Sequence, residues 1–183
     1  GATPTGRYDT AEMIATVDAV AGHLRIDRFV LGGNSMGGGV AWRYALEHPA
    51  KVRALLLIDA AGMPPRAGEA PPPSNLGFRL ARNPVGGWLM QSITPRSLVR
   101  TSIEGTVADP SIVTEPMVDR YWELLRFPGN RAATAKRFAR PFVDNAAAAR
   151  VGDIRAPTLL LYGQEDRRIR PSAARTLHER GSG

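Results

Sequence analysis

At 183 residues with 43% apolar content, the chain is long enough to bury a real core as one domain carrying at most an insertion, and its composition is not that of a disordered protein. It contains no cysteine, which excludes disulfides, thiolate metal sites and a cysteine nucleophile, and no run approaching the roughly 18 apolar residues that a membrane span needs. The formal charge of +7 raises a polyanion-binding reading, but the arginines stand singly or in pairs (Arg7, Arg25, Arg28, Arg79, Arg82, Arg167, Arg168) without a run of five, so neither nucleic acid nor membrane is expected as a partner.

In chain order, Tyr8 to Leu24 places Met13, Ile14, Val17, Val20, Ala21 and Leu24 at helical spacing behind Asp9 or Thr10 as a cap, and predicts an amphipathic helix. Phe29, Val30 and Leu31 form a short apolar run that stops at Gly32 and Gly33, as a buried strand would. From Met36 the pattern turns helical through Val40, Trp42, Tyr44, Ala45 and Leu46 and ends near His48 and Pro49. Ala54 to Ile58 is a second buried strand, completing a βαβ unit with parallel strands.

From Gly62 the character changes. Residues 63–74 are rich in proline and small side chains, a linker composition. Thr94 before Pro95, Asp109 before Pro110, and Thr114 ahead of Pro116 read as helix starts. The stretch Met117, Val118, Tyr121, Trp122, Leu124 and Leu125 predicts the clearest of these helices, and Arg131 to Phe138 another. Strand character returns at Thr158 to Tyr162, and Pro171 to Leu177 leads into a last helix. The expected organisation is an α/β core over 1–62, a helical cap insertion over 63–150, and a return to the core over 151–183.

Gly33, Asn34, Ser35, Met36 and Gly37 spell GxSxG between a predicted strand and a predicted helix, the context of a nucleophile elbow. A serine on so tight a turn takes strained backbone angles, and glycines two residues before and after leave room for the chain to close. The helix opening at Met36 aims backbone amides and the positive end of its dipole at the hydroxyl. Ser35 is therefore read as a nucleophile and the Met36 amide as an oxyanion donor. A serine needs a base, and the base an orienting acid. Asp166, three residues past Gly163 in the loop leaving the last strand, is the best-placed acid. Glu165 is adjacent but points elsewhere if Asp166 points in. Asp59, at the end of the second strand, competes; its other reading is a turn residue beside Gly62. The three histidines, His23, His48 and His178, all fall within or at the ends of predicted helices, so none is assigned as the base.

The blocks GNSMGG (Gly33 to Gly38), AWRYALEHPAKVRALLLIDAAG (ending at Gly62) and APTLLLYGQEDRRI (Ala156 to Ile169) resemble the α/β-hydrolase superfamily, in its serine branch of cap-bearing esterases and C–C bond hydrolases acting on aromatic ring-cleavage products. The resemblance implies an α/β fold with a mostly parallel sheet flanked by helices, Ser35 as nucleophile, Met36 as oxyanion donor and Asp166 as triad acid. Serine at position 35 argues against the carboxylate-nucleophile dehalogenases and epoxide hydrolases. In that family the histidine follows one further strand beyond the acid, whereas 17 residues follow Asp166 here; the front lacks the family's first strands and histidine-glycine loop. The chain is accordingly expected to be a piece of a longer hydrolase, inactive alone, with exposed sheet edges that favour aggregation.

The expected activity is cofactor-independent and metal-free hydrolysis of a small-molecule ester or ketone substrate in the cytoplasm. Trp88, Leu89, Met90, Tyr121, Trp122 and Phe127 are candidate pocket residues in the cap that would roof the site. An acyltransferase on the same elbow, or a ligand-binding protein that keeps the pocket without turnover, are the alternatives.

Overall fold

The computed structural model describes residues 6–69, 83, 93–140, 142–166 and 168–181. The chain divides into one unit of 10–72 with 141–183, and another of 1–9 with 73–140.

In the first unit, α1 (Thr10–His23), β1 (Phe29–Asn34), α2 (Met36–Glu47) and β2 (Val52–Ile58) follow one another, and after the excursion β3 (Thr158–Leu161) completes a three-stranded sheet of order β1-β2-β3. Both pairings are parallel, as the short strand–helix–strand connection requires. Register sets Leu31 beside Leu55 and Gly33 beside Leu57, and Leu57 beside Leu160. This face packs against α2, whose Trp42 and Tyr44 are wholly buried, and against Ile14 of α1 and Leu177 of the last helix. The other face behaves differently. Val30, Leu159 and Leu161 are 62%, 57% and 47% exposed, so the expectation of strands buried on both sides is corrected: among the described residues, the core helices cover one face only.

The apolar stripe of α1 is likewise half used, because Ile14 and Ala21 are buried while Val20 and Leu24 are exposed. Asp18, one turn on from Ile14 along the same side, accepts from the Tyr44 hydroxyl at 2.8 Å and Lys51 at 2.6 Å, tying α1 to α2 and to the entry of β2. Arg43 is the residue that sequence alone gives least reason to place inside. Its guanidinium, 7% exposed, donates to the Gly39 and Phe142 carbonyls at 3.1 Å and lies over the Trp42 ring. It thereby fixes the return of the chain at Phe142 against α2, and it crowds Gly62, where a side chain would come within 2.8 Å of it. A short helix α6 (Asn145–Ala149), capped by the Asp144 carboxylate, and a 3-10 turn (Val151–Asp153) lead into β3, and α7 (Pro171–Gly181) follows it.

The second unit holds α3 (Arg96–Glu104), a 3-10 turn (Pro110–Ile112), α4 (Glu115–Arg126) and α5 (Asn130–Ala139). Thr114 caps α4 by accepting from the Met117 amide. Asp109 caps only the single 3-10 turn rather than a full helix. Pro95, not Thr94, holds the cap position of α3; the Thr94 carbonyl instead accepts from Trp122 Nε1 at 2.9 Å. The core here is small. Val118 is fully buried against Val99 and Val113, with Trp122 and Leu125 beside it, one face at i, i+4, i+7 spacing. Arg96 pairs with Glu115 and Asp119 at 2.6 Å, and Arg100 with Glu115. This network joins α3 to α4 where apolar contact is sparse.

Candidate active site

The C-terminal ends of β1, β2 and β3 lie side by side, because Asn34 is in register with Ile58 and Ile58 with Leu161. Ser35, Asp59 and Tyr162 each stand one residue beyond, so the loops carrying Ser35 and Asp166 leave the sheet about two strand spacings, roughly 10 Å, apart. In parallel α/β sheets this end is where ligands bind.

Ser35 occupies the junction of β1 and α2 with φ 51 and ψ −116, a combination that side-chain-bearing residues avoid. The turn is held from both sides: the Ser35 amide donates to the Ile58 carbonyl at 2.9 Å, and the Ser35 carbonyl accepts from Gly39 at 3.0 Å and Ala61 at 2.9 Å. Asn34 adds a bond from Nδ2 to the Ile58 carbonyl at 3.3 Å. The hydroxyl itself makes no capping bond to α2, and Met36 begins that helix. A Cβ at Gly33 would stand 2.4 Å from the Gly37 backbone, so only glycine closes the elbow there. At Gly37 the reason differs from the expectation, since an added Cβ meets nothing within 4 Å. The close approach after the serine is instead at Gly38, whose added Cβ would lie 2.6 Å from that of Ala60. Helix and strand end touch at that point.

Asp166 is partly buried, and its Oδ1 accepts from the Arg168 amide at 2.6 Å and the Ile169 amide at 2.9 Å. The carboxylate thus organises the loop that carries it, and Oδ1 is committed to that turn. Glu165 is exposed. Tyr162 donates its hydroxyl to the Ala60 carbonyl at 3.0 Å, and burial pushes its pKa well above the usual phenol value. Asp59, left open by the sequence, has φ 43 and accepts from the Gly163 amide at 2.8 Å through Oδ1.

The histidines stand elsewhere. His23 ends α1, ahead of β1. His48 caps the far end of α2 from Ser35, some 18 Å along a helix of 12 residues, and its ring rests on Tyr44 at 4.5 Å. His178 lies on α7 as that helix runs back toward the turn before β3, where the Arg180 carbonyl closes on Gly152. Of the pocket candidates, Trp88, Leu89 and Met90 lie outside the described residues. Tyr121 and Phe127 are exposed at 56% and 46%, while Trp122 is engaged by Thr94 and by the Arg126 guanidinium over its ring. No group of three histidine, aspartate or glutamate side chains placed to hold a metal occurs among the described residues. None of the described helices is long and apolar enough to cross a membrane.

A family model described as the alpha/beta hydrolase fold matches residues 1–180. The chain belongs to the α/β-hydrolase fold family. Among its relatives, 2-hydroxy-6-oxo-2,4-heptadienoate hydrolase of Pseudomonas putida is 28% identical over 167 residues, covering 88% of the chain and 55% of the relative. A 2-hydroxymuconate semialdehyde hydrolase of Pseudomonas putida is 28% identical over 179 residues, covering 94% of the chain and 58% of the relative. The chain therefore spans a little over half the length of these two proteins. A solved meta-cleavage product hydrolase of Pseudomonas fluorescens IP01 superposes with TM-score 0.75 at 19% identity, over 98% of the chain and 62% of that structure. The match establishes the shared fold.

Proposed function

We propose that the chain carries the nucleophile and the acid of a cofactor-independent serine hydrolase acting on small apolar or aromatic carbonyl compounds. The observation that carries this reading is Ser35 at φ 51 and ψ −116, opening α2 at the C-terminal end of a parallel strand. Strain of that kind persists only where the surroundings over-determine it, and here four hydrogen bonds and two crowded glycines do so.

In the proposed reaction Ser35 Oγ attacks the carbonyl carbon while an imidazole takes its proton. The oxyanion is drawn to the N-terminal end of α2, where the Met36 amide and the helix dipole meet it. Collapse expels the leaving group, protonated by the imidazolium, and water then releases the acyl group by the same path in reverse. Asp166 Oδ2 holds the imidazole while Oδ1 stays with the Arg168 and Ile169 amides. The imidazole comes from outside residues 1–183, since His23, His48 and His178 all lie on helices away from the strand ends. Relatives named as hydrolases of a hydroxy-oxo-dienoate and of a hydroxymuconate semialdehyde favour an activated ketone, with C–C cleavage, over a simple ester.

The test is steady-state turnover of a 2-hydroxy-6-oxo-dienoate and of an aryl ester by the full-length protein. Ser35→Ala is expected to lower kcat about 10⁴-fold or more. A Ser35→Ala protein that retains its rate would remove the reading, and an ester preferred to the dienoate would move the substrate class.

A further inference from the structure

Beyond Ile58 and Leu161 the backbone ladder between β2 and β3 makes one more bond, from the Asp59 amide to the Leu161 carbonyl at 2.9 Å. A regular parallel ladder continues with the amide two residues on, that of Gly163, donating to the carbonyl of residue 59. It does not do so here. The chain turns at Asp59 with φ 43, and the Gly163 amide donates instead to the Asp59 side chain, at Oδ1, at 2.8 Å. The carboxylate stands in for the main-chain acceptor. It extends the pairing of β3 for one step after β2 has left the sheet.

That step matters because of what hangs on each side. Gly163 begins the loop whose carbonyl accepts from the Asp166 amide at 3.2 Å. Residues 58 to 61 also hold the elbow, through Ile58 and Ala61 to Ser35. One four-residue bracket therefore grips the turn bearing the nucleophile with its backbone and the turn bearing the acid with the Asp59 carboxylate.

We infer that Asp59 is a positioning residue: its Oδ1, bonded to the Gly163 amide, sets the distance between the Asp166 loop and Ser35. The inference rests on the reading of Ser35 and Asp166 as nucleophile and acid. Two requirements meet at position 59, a backbone that tolerates positive φ and an acceptor one carbon beyond Cβ. Asparagine satisfies both, and glycine satisfies only the first.

Asp59→Asn and Asp59→Gly separate the acceptor from the backbone and from the charge. In the full-length protein, Asp59→Gly is expected to lower kcat about 10- to 100-fold with KM within about twofold, the scale at which a displacement of about 1 Å costs rate; Asp59→Asn is expected to stay within about threefold of wild type. Amide exchange read by NMR on the same variants is expected to show the Gly163 amide losing protection in Asp59→Gly and keeping it in Asp59→Asn. Unchanged Gly163 protection or unchanged kcat in Asp59→Gly would overturn the inference. So would a collapse of kcat in Asp59→Asn, which would make Asp59 itself the acid. If the wild type proves inactive the hydrolase reading fails, while Gly163 exchange still reports on the bond.

Discussion

Ser35 spends conformational energy to stand where it does. A residue held at φ 51 and ψ −116 costs on the order of 1–3 kcal/mol, and glycine relieves that cost. Ser35→Gly is thus expected to raise the free energy of unfolding by about 1–2 kcal/mol in urea titrations, as the proposed role of Ser35 as nucleophile requires. A Ser35→Gly protein less stable than wild type would mean that the turn is unstrained. The neighbouring glycines divide by their surroundings. Gly33→Ala forces a Cβ to 2.4 Å from the Gly37 backbone, and is expected to cost about 3 kcal/mol. Gly37→Ala, with open space around it, is expected to be neutral or to stabilise α2 by up to about 1 kcal/mol; urea midpoints check both. This part of the site was legible because a GxSxG stretch between strand and helix is a local pattern. The distinction between Gly37 and Gly38 was not, since it depends on where Ala60, 22 residues later in the chain, comes to rest. The bond that Asp59 makes, and the burial of Arg43, were hidden for a related reason. An aspartate after a strand and an arginine on a helix have common surface explanations, and only the partners Gly163, Gly39 and Phe142 define what these two do.

Between elements, the Asp18, Tyr44 and Lys51 cluster is the polar tie of α1 to the sheet. The Lys51 and Tyr44 bonds hold the Asp18 carboxyl below its ordinary value of 3.8, so the folded chain takes up that proton less readily than the unfolded one. The resulting stabilisation is complete above that ordinary value and is lost as pH falls through the lower folded value. The melting temperature of Asp18→Asn is accordingly expected to lie below that of wild type at about pH 6 and to approach it as the pH falls below the ordinary carboxyl value. A constant gap across that range would show the tie to be independent of the carboxylate charge. The elements themselves were readable from periodicity because α2 and β2 carry their apolar residues in unbroken local patterns. The strands misled on one point: apolar residues at successive positions imply cover on both faces, but Val30, Leu159 and Leu161 lie on a face that the core helices leave open.

At the scale of the whole chain, that open face is the dominant surface feature. It joins apolar side chains to the edges of β1 and β3, each paired on one side in the three-stranded sheet, the combination that templates association. Residues 1–183 alone are expected to self-associate with rising concentration in sedimentation velocity, and Leu159→Lys is expected to shift the distribution toward monomer. A monomer unchanged by concentration would contradict this account of the surface. The same 183 residues hold no histidine at the strand ends, and are expected to hydrolyse an aryl ester no faster than their Ser35→Ala variant.

The most direct measurement is the intact mass and peptide map of the full-length protein after exposure to a fluorophosphonate. The expected result is a single phosphonylated residue, Ser35, with the adduct absent in Ser35→Ala and formed much more slowly in Asp166→Asn. A protein left unmodified, or modified elsewhere with Ser35 untouched, would contradict the claim that the bend after β1 presents a nucleophile.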